Sequence, residues 1–472
     1  MLSFESSGKN LAGIAVLGLV LYGVYGAIYR LYLSPVAHVP GPWFAKLTFW
    51  NEFYYDVVLG GRYTFKIGDY HEKYGPIIRI NPFEVHVKDS DFADELYVGA
   101  SKRKSDKWPW ANLVNKLCDR LEEYRDAGKP VTMLYAYACL TVDVISEYSF
   151  PEGYSYLDQK EFDREHYDAW MAMSKMSHLL KQFGWLYPFL SSLPMWVTKM
   201  SSPETYIVLQ QMLRLRLETA QIVNAKKEGK SDIKQWTARP SMIEAFLDSN
   251  LPESDKTIER IAGEAQIAIG AGTLTSSHCL KHATFHILAN PHIHERLMND
   301  LERAIPDTDA PPNLRQLESI EYLVAILYES LRNFHGVTQR LQRISPDQLI
   351  HYKDYALPPG TPISMTGVLT HDDPDIFPEP YEFRPERWLP LSTNGVRLQK
   401  YLMAFGKGSR QCVGMELGKA EIMTALATVF RRFGRKMSLL DTYRERDIDF
   451  KHDYFNPMSS SQSNGLVVKF EK

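Results

Sequence analysis

Residues 405–414 have the sequence Phe-Gly-Lys-Gly-Ser-Arg-Gln-Cys-Val-Gly, and this stretch decides how the rest of the chain is interpreted. Cys412 lies just before a predicted helix over Gly414–Phe430, so the first backbone N–H groups of that helix point towards its sulfur. These unpaired N–H groups carry partial positive charge and favour a thiolate over a thiol. The glycines permit a tight turn and leave room for a flat group, and Arg410 could hold an anionic group beside the sulfur. The stretch therefore predicts an axial cysteine ligand of haem iron.

The alternative is that Cys412 is a small buried apolar residue, which is the usual state of a free cysteine. However, every fixed position of the pattern Phe-x-x-Gly-x-Arg-x-Cys-x-Gly is present at residues 405–414. The stretch resembles the haem-binding signature of the cytochrome P-450 haem-thiolate monooxygenases. The resemblance implies heme b with Cys412 as the axial ligand of iron, and cofactor contacts from Phe405, Gly406, Arg410 and Gly414.

The composition is that of a folded chain in a reducing compartment. Of 472 residues, 44% are hydrophobic and 12% aromatic, which is enough for a substantial core. A net charge of −3 gives no reason to expect a nucleic-acid partner. The four cysteines are scattered without paired spacing, so a disulfide framework is not expected.

The N-terminal region predicts a membrane anchor. Residues Leu11–Tyr29 are almost continuously apolar, close to the roughly 20 residues that cross a bilayer. A buried core helix is the alternative; a cleaved signal peptide would need a shorter apolar stretch and a small-residue cleavage site. Arg30 and Lys46 follow the span and favour a cytosolic body. We therefore expect residues 1–34 to form a single-pass anchor in contact with membrane lipid, and residues 35–472 to form the catalytic domain.

A second candidate region lies in a helix predicted over Ser254–Ala289. Gly270 and Gly272 lie in its middle, and each costs roughly 1 kcal/mol relative to alanine. Close passage of a flat cofactor would explain both glycines, and so would close packing of another helix. Thr275 is expected to donate a hydrogen bond to the carbonyl of Ala271, which makes a small polar notch.

The segment Ala271-Gly-Thr-Leu-Thr-Ser276 resembles the oxygen-activation motif of the same family. The resemblance implies that Thr275 is catalytic and manages the proton relay, and that Ala271 and Gly272 contact the cofactor. The family usually has an acidic residue just before the threonine, whereas this chain has Leu274. Proton delivery must then rely on Thr275 and water.

Two further patterns resemble motifs of the same family, which imply an ion-pair network. Glu329 and Arg332 are three residues apart, hence on one face of a helix predicted over Glu318–Phe334; alone, such a pair is common on surfaces. Tyr-Glu-Phe-Arg-Pro-Glu-Arg-Trp follows at residues 381–388. In the resembled family, the glutamate and arginine of the first pattern meet the arginine of the second, here Arg387, and we expect this triad to stabilise the haem-side scaffold.

One part of the family pattern is missing. After Trp110 the chain passes directly into a helix, where the resembled family has an additional helix whose Trp or His and Arg side chains hold the haem propionates. Relative to that pattern the region is several tens of residues short, through a real deletion or a misassembled coding sequence. Arg343 matches another propionate-contacting position and His371 lies in a matching loop, so Arg343 and Arg410 become the main candidate anion contacts.

Shorter elements are predicted elsewhere: a helix over Tyr63–Lys73, a hairpin over residues 76–87, a short helix over residues 91–97 capped by Ser90, and a terminal hairpin over residues 449–470. The expected fold is mainly α with small β-sheets, a cytochrome P-450 fold preceded by one transmembrane helix.

The resemblance extends over nearly the whole chain. The sequence is similar to fungal membrane-bound members of the family that oxidise terpenoids, including the trichodiene-oxygenase type. It implies a monooxygenase in the endoplasmic reticulum membrane that inserts one oxygen atom from O2 into a hydrophobic secondary metabolite. Electrons from NADPH would arrive through a separate NADPH-cytochrome P-450 reductase, because the chain has no Gly-x-Gly-x-x-Gly or phosphate loop. Two rivals stay open: a haem-thiolate isomerase, dehydratase or peroxide-user, suited to Leu274, and an inactive relic, suited to the missing helix.

Overall fold

The computed structural model describes residues 18, 20–89, 92, 111–162, 164–201, 203–228, 241–308, 312–389 and 398–471. It is mainly helical with small sheets, as predicted. The α-helices are α1 (Trp43–Leu47), α2 (Trp50–Phe53), α3 (Tyr63–Tyr74), α4 (Ala111–Ala127), α5 (Met133–Ser149), α6 (Arg164–Gln182), α7 (Leu186–Ser192), α8 (Met195–Ser201), α9 (Pro203–Lys227), α10 (Met242–Leu247), α11 (Ile258–Ala289), α12 (Pro291–Ala304), α13 (Leu314–Glu318), α14 (Glu321–Phe334), α15 (Gly367–His371) and α16 (Met415–Phe433).

The strands are short and form four small sheets among the described residues. They are β1 (Ile77–Arg79), β2 (Val85–Val87), β3 (Val131–Thr132), β4 (Arg343–Ile344), β5 (Ile350–Tyr352), β6 (Tyr355–Leu357), β7 (Pro362–Ser364), β8 (Met437–Leu439), β9 (His452–Tyr454), β10 (Asn456–Met458) and β11 (Val467–Phe470). The sheet orders are β1-β2-β7-β4, β5-β6, β3-β11-β8 and β10-β9, and β2 pairs with β7 in parallel.

The chain divides into two compact units. The first comprises the described part of Met1–Leu96 together with Gln339–Thr370. Its core includes buried residues of α3 and β1, and Arg340 is buried between two carboxylates, Glu52 at 2.6 Å and Glu84 at 2.7 Å. Burying one guanidinium against two carboxylates provides the charge compensation that a buried ion requires.

The second unit comprises the described part of Tyr97–Thr338 together with His371–Lys472. Its core is built from α4, α5, α11, α14 and α16, which contribute most of a large cluster of buried apolar side chains. Helix α11 is central, since α5, α14 and α16 all pack against it. The unit therefore contains both the predicted cysteine loop and the predicted polar notch.

Helix α11 begins later than predicted. Ser254 lies in a separate 3-10 turn, and α11 starts at Ile258 because the Thr257 side chain accepts a hydrogen bond from the N–H of Arg260 and caps the helix. Its end at Ala289 was predicted correctly from the proline that follows Asn290.

Other boundaries show where the sequence interpretation was wrong. The helix predicted over Glu318–Phe334 is α14, which ends at Phe334 as predicted but begins three residues later, at Glu321, because Glu318 ends the preceding helix α13. The predicted terminal hairpin consists of β9 and β10 only, because β11 pairs with β3 and β8 in another sheet. The helix α3 and the hairpin of β1 and β2 are confirmed.

Part of the N-terminal prediction lies outside the described residues. Positions 1–17 and 19 of the predicted anchor lie in that part. So do the junction at Trp110 and, apart from residue 92, the short helix predicted over residues 91–97 with its cap Ser90. Among the residues that are described, no helix combines the length and the apolar character needed to cross a bilayer.

Candidate active site

The cysteine loop has the tight backbone that its glycines predict. Gly406 and Gly408 have positive φ angles of 63° and 79°, which glycine adopts without strain. The N–H of Cys412 donates to the carbonyl of Phe405 at 2.9 Å and closes the loop. Gly414 then forms the N-cap of α16. The loop therefore holds the cysteine at the start of a long, largely buried helix.

The sulfur of Cys412 is set apart from the other thiols. Cys412 is exposed, whereas Cys118, Cys139 and Cys279 are buried. Its neighbour Val413 is 93% exposed, which is unusual for an apolar side chain beside a buried helix. A loop that presents a thiol and an apolar surface together provides one side of a site for a flat apolar group.

Although Cys412 is exposed, the loop around the sulfur partly desolvates it, and this raises the pKa of the Cys412 thiol. The N–H of Gly414 at the helix start lowers that pKa, in the expected direction but by less. A thiol that coordinates a metal ion is deprotonated by the metal itself. The protein thus positions the sulfur, and a bound metal ion would favour its thiolate.

The polar notch in α11 is present. The hydroxyl of Thr275 donates to the carbonyl of Ala271 at 2.8 Å, as predicted. Ala271 is exposed and Thr275 is half-buried, and Ile267, one turn earlier, is 67% exposed. The following residues of α11, from Ser276 to Ile287, are all buried. The central helix therefore has one open face, which carries the notch.

The two glycines of α11 point to helix packing. A Cβ atom on Gly270 would lie 2.6 Å from the ring of Trp170, and a Cβ atom on Gly272 would lie 2.7 Å from Cγ1 of Ile145. Trp170 belongs to α6 and Ile145 to α5, so the glycines let these helices approach α11. Of the two explanations left open by the sequence, close helix packing accounts for Gly272.

The cysteine loop and the notch are neighbours. Helix α16 packs on α11, and a Cβ atom added to Gly418 would lie 3.8 Å from the Ser276 hydroxyl and 4.0 Å from the Phe405 ring. Ser276 directly follows Thr275 in the chain. One helix crossing thus brings together the two regions that the sequence singled out, although 137 numbered positions separate Thr275 from Cys412.

The predicted ion-pair triad is assembled. Nε and Nη2 of Arg332 donate to the two oxygens of Glu329 at 2.9 and 2.7 Å, and both side chains are completely buried. Nε of Arg387 donates to the same carboxylate at 3.2 Å. Nε1 of Trp388 adds a bond of 2.8 Å and the backbone N–H of Arg384 one of 2.9 Å. The negative charge of the buried Glu329 carboxylate is therefore compensated, and both of its oxygens accept hydrogen bonds.

Arg332 also connects separate parts of the second unit. Its Nη1 donates to the carbonyls of His371 at 3.0 Å and Pro380 at 2.8 Å. His371 is buried, and its Nε2 accepts the N–H of Met403 at 2.8 Å. Met403 lies two residues before Phe405, so this chain of contacts supports the cysteine loop. His371 thus has a scaffold role in this structure.

The two candidate anion contacts have different surroundings. Arg410 is exposed in a 3-10 turn within the cysteine loop. Arg343 belongs to the first unit, where it begins β4 and donates to the carbonyl of Gln342 at 2.8 Å. Its cofactor contact stays a prediction.

Sequence reasoning missed two supporting residues. Gly336 has a φ of 72°, and a Cβ atom there would lie 2.6 Å from the carbonyl oxygen of Ala404, so glycine is needed beside the loop. Glu421 is a buried acid in α16, and burial raises its pKa to about 8. The position of Gly336 just after a helix end was a usable signal, whereas the periodicity of α16 only indicated a buried position at 421.

Comparisons with known proteins identify the family. The family model for cytochrome P450 matches residues 109–453. The cytochrome P450 monooxygenase MO6277 of Ascocoryne sarcoides is 36% identical, with 97% of this chain and 98% of the relative covered. The tryptophan 6-hydroxylase fscE of Fusarium equiseti is also 36% identical, with 98% of this chain and 97% of the relative covered. The N-acetyltryptophan 6-hydroxylase ivoC of Emericella nidulans is 34% identical over 96% of each chain. The chain belongs to the cytochrome P450 family.

Family membership defines the chemistry. The chain is a haem-dependent monooxygenase that uses O2 and acts on a hydrophobic small molecule, with a cysteine thiolate as axial ligand and electrons supplied by a reductase. Haem, when bound, supplies the oxidation chemistry, and the protein supplies binding and orientation. The isomerase, dehydratase and inactive alternatives are not favoured, since the relatives named above are a monooxygenase and two hydroxylases.

The alignments also bear on the missing segment. They extend over 508 positions for the Ascocoryne relative and 505 for the Fusarium relative, more than the 472 residues of this chain. These relatives therefore have residues that this chain lacks. The alignment lengths do not say where these residues lie, so the shortening near Trp110 stays a prediction.

Proposed function

We propose that Cys412 is the axial ligand of haem iron and that the open face of α11 lies along the other side of the same site. The single observation that carries this proposal is the open sulfur of Cys412 one helix crossing away from the notch at Thr275. Phe405, Gly406 and Gly414 shape the loop, Ala271 gives a small surface for close approach, and Arg410 is the proposed anion contact within the second unit.

In this proposal the protein residues bind and orient the substrate, and they move protons. Thr275 holds a hydroxyl at the open face, and its hydrogen bond to Ala271 loosens the helix there. The exposed side chain of Ile267 gives the open face of α11 an apolar surface for the substrate. The triad of Glu329, Arg332 and Arg387 keeps the loop in place through His371 and Met403.

The test uses carbon monoxide difference spectroscopy of the reduced protein. Wild type should give a thiolate-haem Soret band, Cys412→Ala should lose it together with haem retention, and Cys279→Ala should keep it because Cys279 is buried in α11. Equal haem retention in both variants would defeat the assignment of Cys412. Absence of the band in haem-supplied wild type would defeat the proposed site as a whole.

We propose a terpenoid-like secondary metabolite as the substrate. The similarity of the sequence to fungal terpenoid oxidases supports it. A second candidate is an indole, because two relatives are named as hydroxylases of tryptophan and N-acetyltryptophan. Reductase-dependent NADPH consumption with a sesquiterpene panel and an indole panel, with oxygen traced into product, separates the two. Turnover of neither class would refute both assignments.

We further propose that residues 1–34 anchor the protein in the endoplasmic reticulum membrane by a single span, with the catalytic body in the cytosol. The described part of this segment is helical over residues 20–28 and has exposed apolar side chains, including Val20, Leu21 and Tyr22. Wild type should stay in the membrane fraction after alkaline extraction, whereas a chain that lacks residues 1–34 should be released. Retention of the shortened chain would contradict this anchor.

A further inference from the structure

Three cations of the first unit lie close together without an acidic partner among the described residues. Nη1 of Arg79 donates to the carbonyl of Arg30 at 2.8 Å, and Nη1 of Arg30 donates to the carbonyl of Leu47 at 2.9 Å. Lys46, the residue before Leu47, donates from Nζ to the carbonyl of Val39 at 2.6 Å. In the described part of the chain, the acceptors of these three side chains are all backbone carbonyls. Arg30, Lys46 and Arg79 are called the cation cluster below.

Arg79 is the unusual member of the cation cluster. Its side chain is completely buried; Nη2 donates to the carbonyl of Pro82, whereas Nε has no hydrogen-bond partner within the described ranges. A buried charge is normally paired with an opposite charge. Here burial and the charge of Arg30 lower the pKa of Arg79 to about 10, and burial and the charge of Arg79 lower the pKa of Lys46. An anion bound at the cluster would relieve this repulsion.

Exposed aromatic side chains lie beside the cation cluster. The Arg30 guanidinium is 5.9 Å from the centre of the Phe83 ring, and the Phe83 ring is 6.0 Å from the Phe49 ring. Both rings are exposed, and so are Trp43 and Trp50, the first residues of α1 and α2. Exposed aromatic rings next to cations are typical of the boundary between a membrane and water. The anions available at that boundary are the phosphates of lipid headgroups.

The position of the cluster in the chain indicates the same ligand. Residues 20–28 are helical and have exposed apolar side chains, and Arg30 follows two residues after this helix. Cations directly after an apolar segment bind anionic lipids through their headgroups. A soluble phosphate compound would gain nothing from the apolar helix and the exposed rings, so these neighbours favour a lipid.

We propose that the cation cluster binds the phosphate of an anionic phospholipid. Arg30 and Lys46 are half-buried and contact the headgroup, while the completely buried Arg79 lies behind them and adds its positive charge. The exposed aromatic rings lie among the neighbouring headgroups. The proposal concerns the first unit and goes beyond the proposed function, since it requires neither the Cys412 site nor a membrane span.

The first experiment measures thermal unfolding of the full-length protein in a nonionic detergent. The probes are dihexanoyl phosphatidylglycerol, whose only charge is its phosphate, dihexanoyl phosphatidylcholine and inorganic phosphate. A ligand that binds only the folded protein raises Tm, and phosphatidylglycerol should raise it more than either other probe at equal concentration. An equal rise with phosphatidylcholine would show binding through the acyl chains alone, and an equal rise with inorganic phosphate would show a site for free phosphate. Either result overturns the proposal.

The second experiment compares variants. Arg30→Gln and Lys46→Gln should each lower the affinity for phosphatidylglycerol about fivefold, the contribution of one cation at an anionic membrane surface, and Lys46→Arg should retain it. Lys66→Gln is the matched control, because Lys66 is also half-buried in the first unit but pairs with Asp69 at 2.9 Å. Wild-type affinity in both glutamine variants, or an equal loss in Lys66→Gln, overturns the proposal.

The remaining outcomes separate misfolding and failure of the proposed function from failure of this site. Tm without lipid shows whether a variant folds; if both glutamine variants do not, the salt dependence of wild-type binding decides. Affinity for phosphatidylglycerol should fall as NaCl rises from about 0.05 to about 0.5 M, because salt screens charges, and binding independent of salt overturns the proposal. Loss of the carbon monoxide band, or release of wild type by alkaline extraction, refutes only the proposed haem site or the proposed anchor.

Discussion

Replacing Glu329 by Gln tests the structural argument most directly. The carboxylate accepts hydrogen bonds from Arg332, Arg387, Trp388 and the backbone of Arg384, and its own side chain is fully buried. Glutamine has the same shape, but it has no charge and replaces one accepting oxygen by an NH2 donor. That NH2 group would face a donor of Arg332 or Trp388, and the Arg332 guanidinium would lose its buried counter-charge.

The expected cost follows from this geometry. Removing one partner of a buried ion pair typically destabilises a protein by about 3–5 kcal/mol, because the remaining charge is left uncompensated. Glu379→Gln is the matched control. Glu379 pairs with Arg384 in the same region, but both side chains are at least half exposed, and such pairs contribute about 0–1 kcal/mol.

The assay is urea unfolding, followed by tryptophan fluorescence and by haem absorbance. Glu329→Gln should lower the free energy of unfolding by about 3–5 kcal/mol and lose haem at lower urea, while Glu379→Gln should behave as wild type. A loss below about 1 kcal/mol in Glu329→Gln, the range of a surface pair, would refute the reasoning that burial makes this network essential.

Three other substitutions probe α11. Gly272→Ala should destabilise by about 1–2 kcal/mol, because overpacking against Ile145 exceeds the gain in helix propensity. Gly263→Ala, with open space around it, should instead stabilise by about 0.5–1 kcal/mol; a loss in both variants would contradict the packing argument. Burial lowers the pKa of His278 and His286 to about 3. Below about pH 6.5 these histidines take up protons in the unfolded chain but not in the folded chain. The free energy of unfolding should therefore fall as the pH drops from about 6.5 towards 4, by up to about 1.4 kcal/mol per pH unit for each histidine. In urea unfolding at several pH values, His286→Phe should make the free energy of unfolding depend less steeply on pH. An unchanged dependence would refute the lowered pKa of His286.

The sequence by itself determined the local chemistry of this protein. The order of residues 405–414 predicted the glycine-turned loop and the thiol at the start of a helix, because these properties depend on neighbours in the chain. The bond from Thr275 to Ala271 was predictable for the same reason, since one helical turn fixes it. The pairing of Glu329 with Arg332 is also within one helix, whereas Arg387 was placed beside them only through the family pattern.

The tertiary structure decided which residues from distant segments meet. The sequence could not choose between a cofactor and a neighbouring helix at Gly272, and the contact with Ile145 decides it. Strand β11 was assigned to the wrong partner, because the alternation of a short strand fixes its buried face and not its neighbours. The approach of Gly418 in α16 to Ser276 in α11 had no signal in the sequence, and it exists because the two helices pack against each other there. Local periodicity fixes which side of an element is buried, and packing alone fixes what that side contacts.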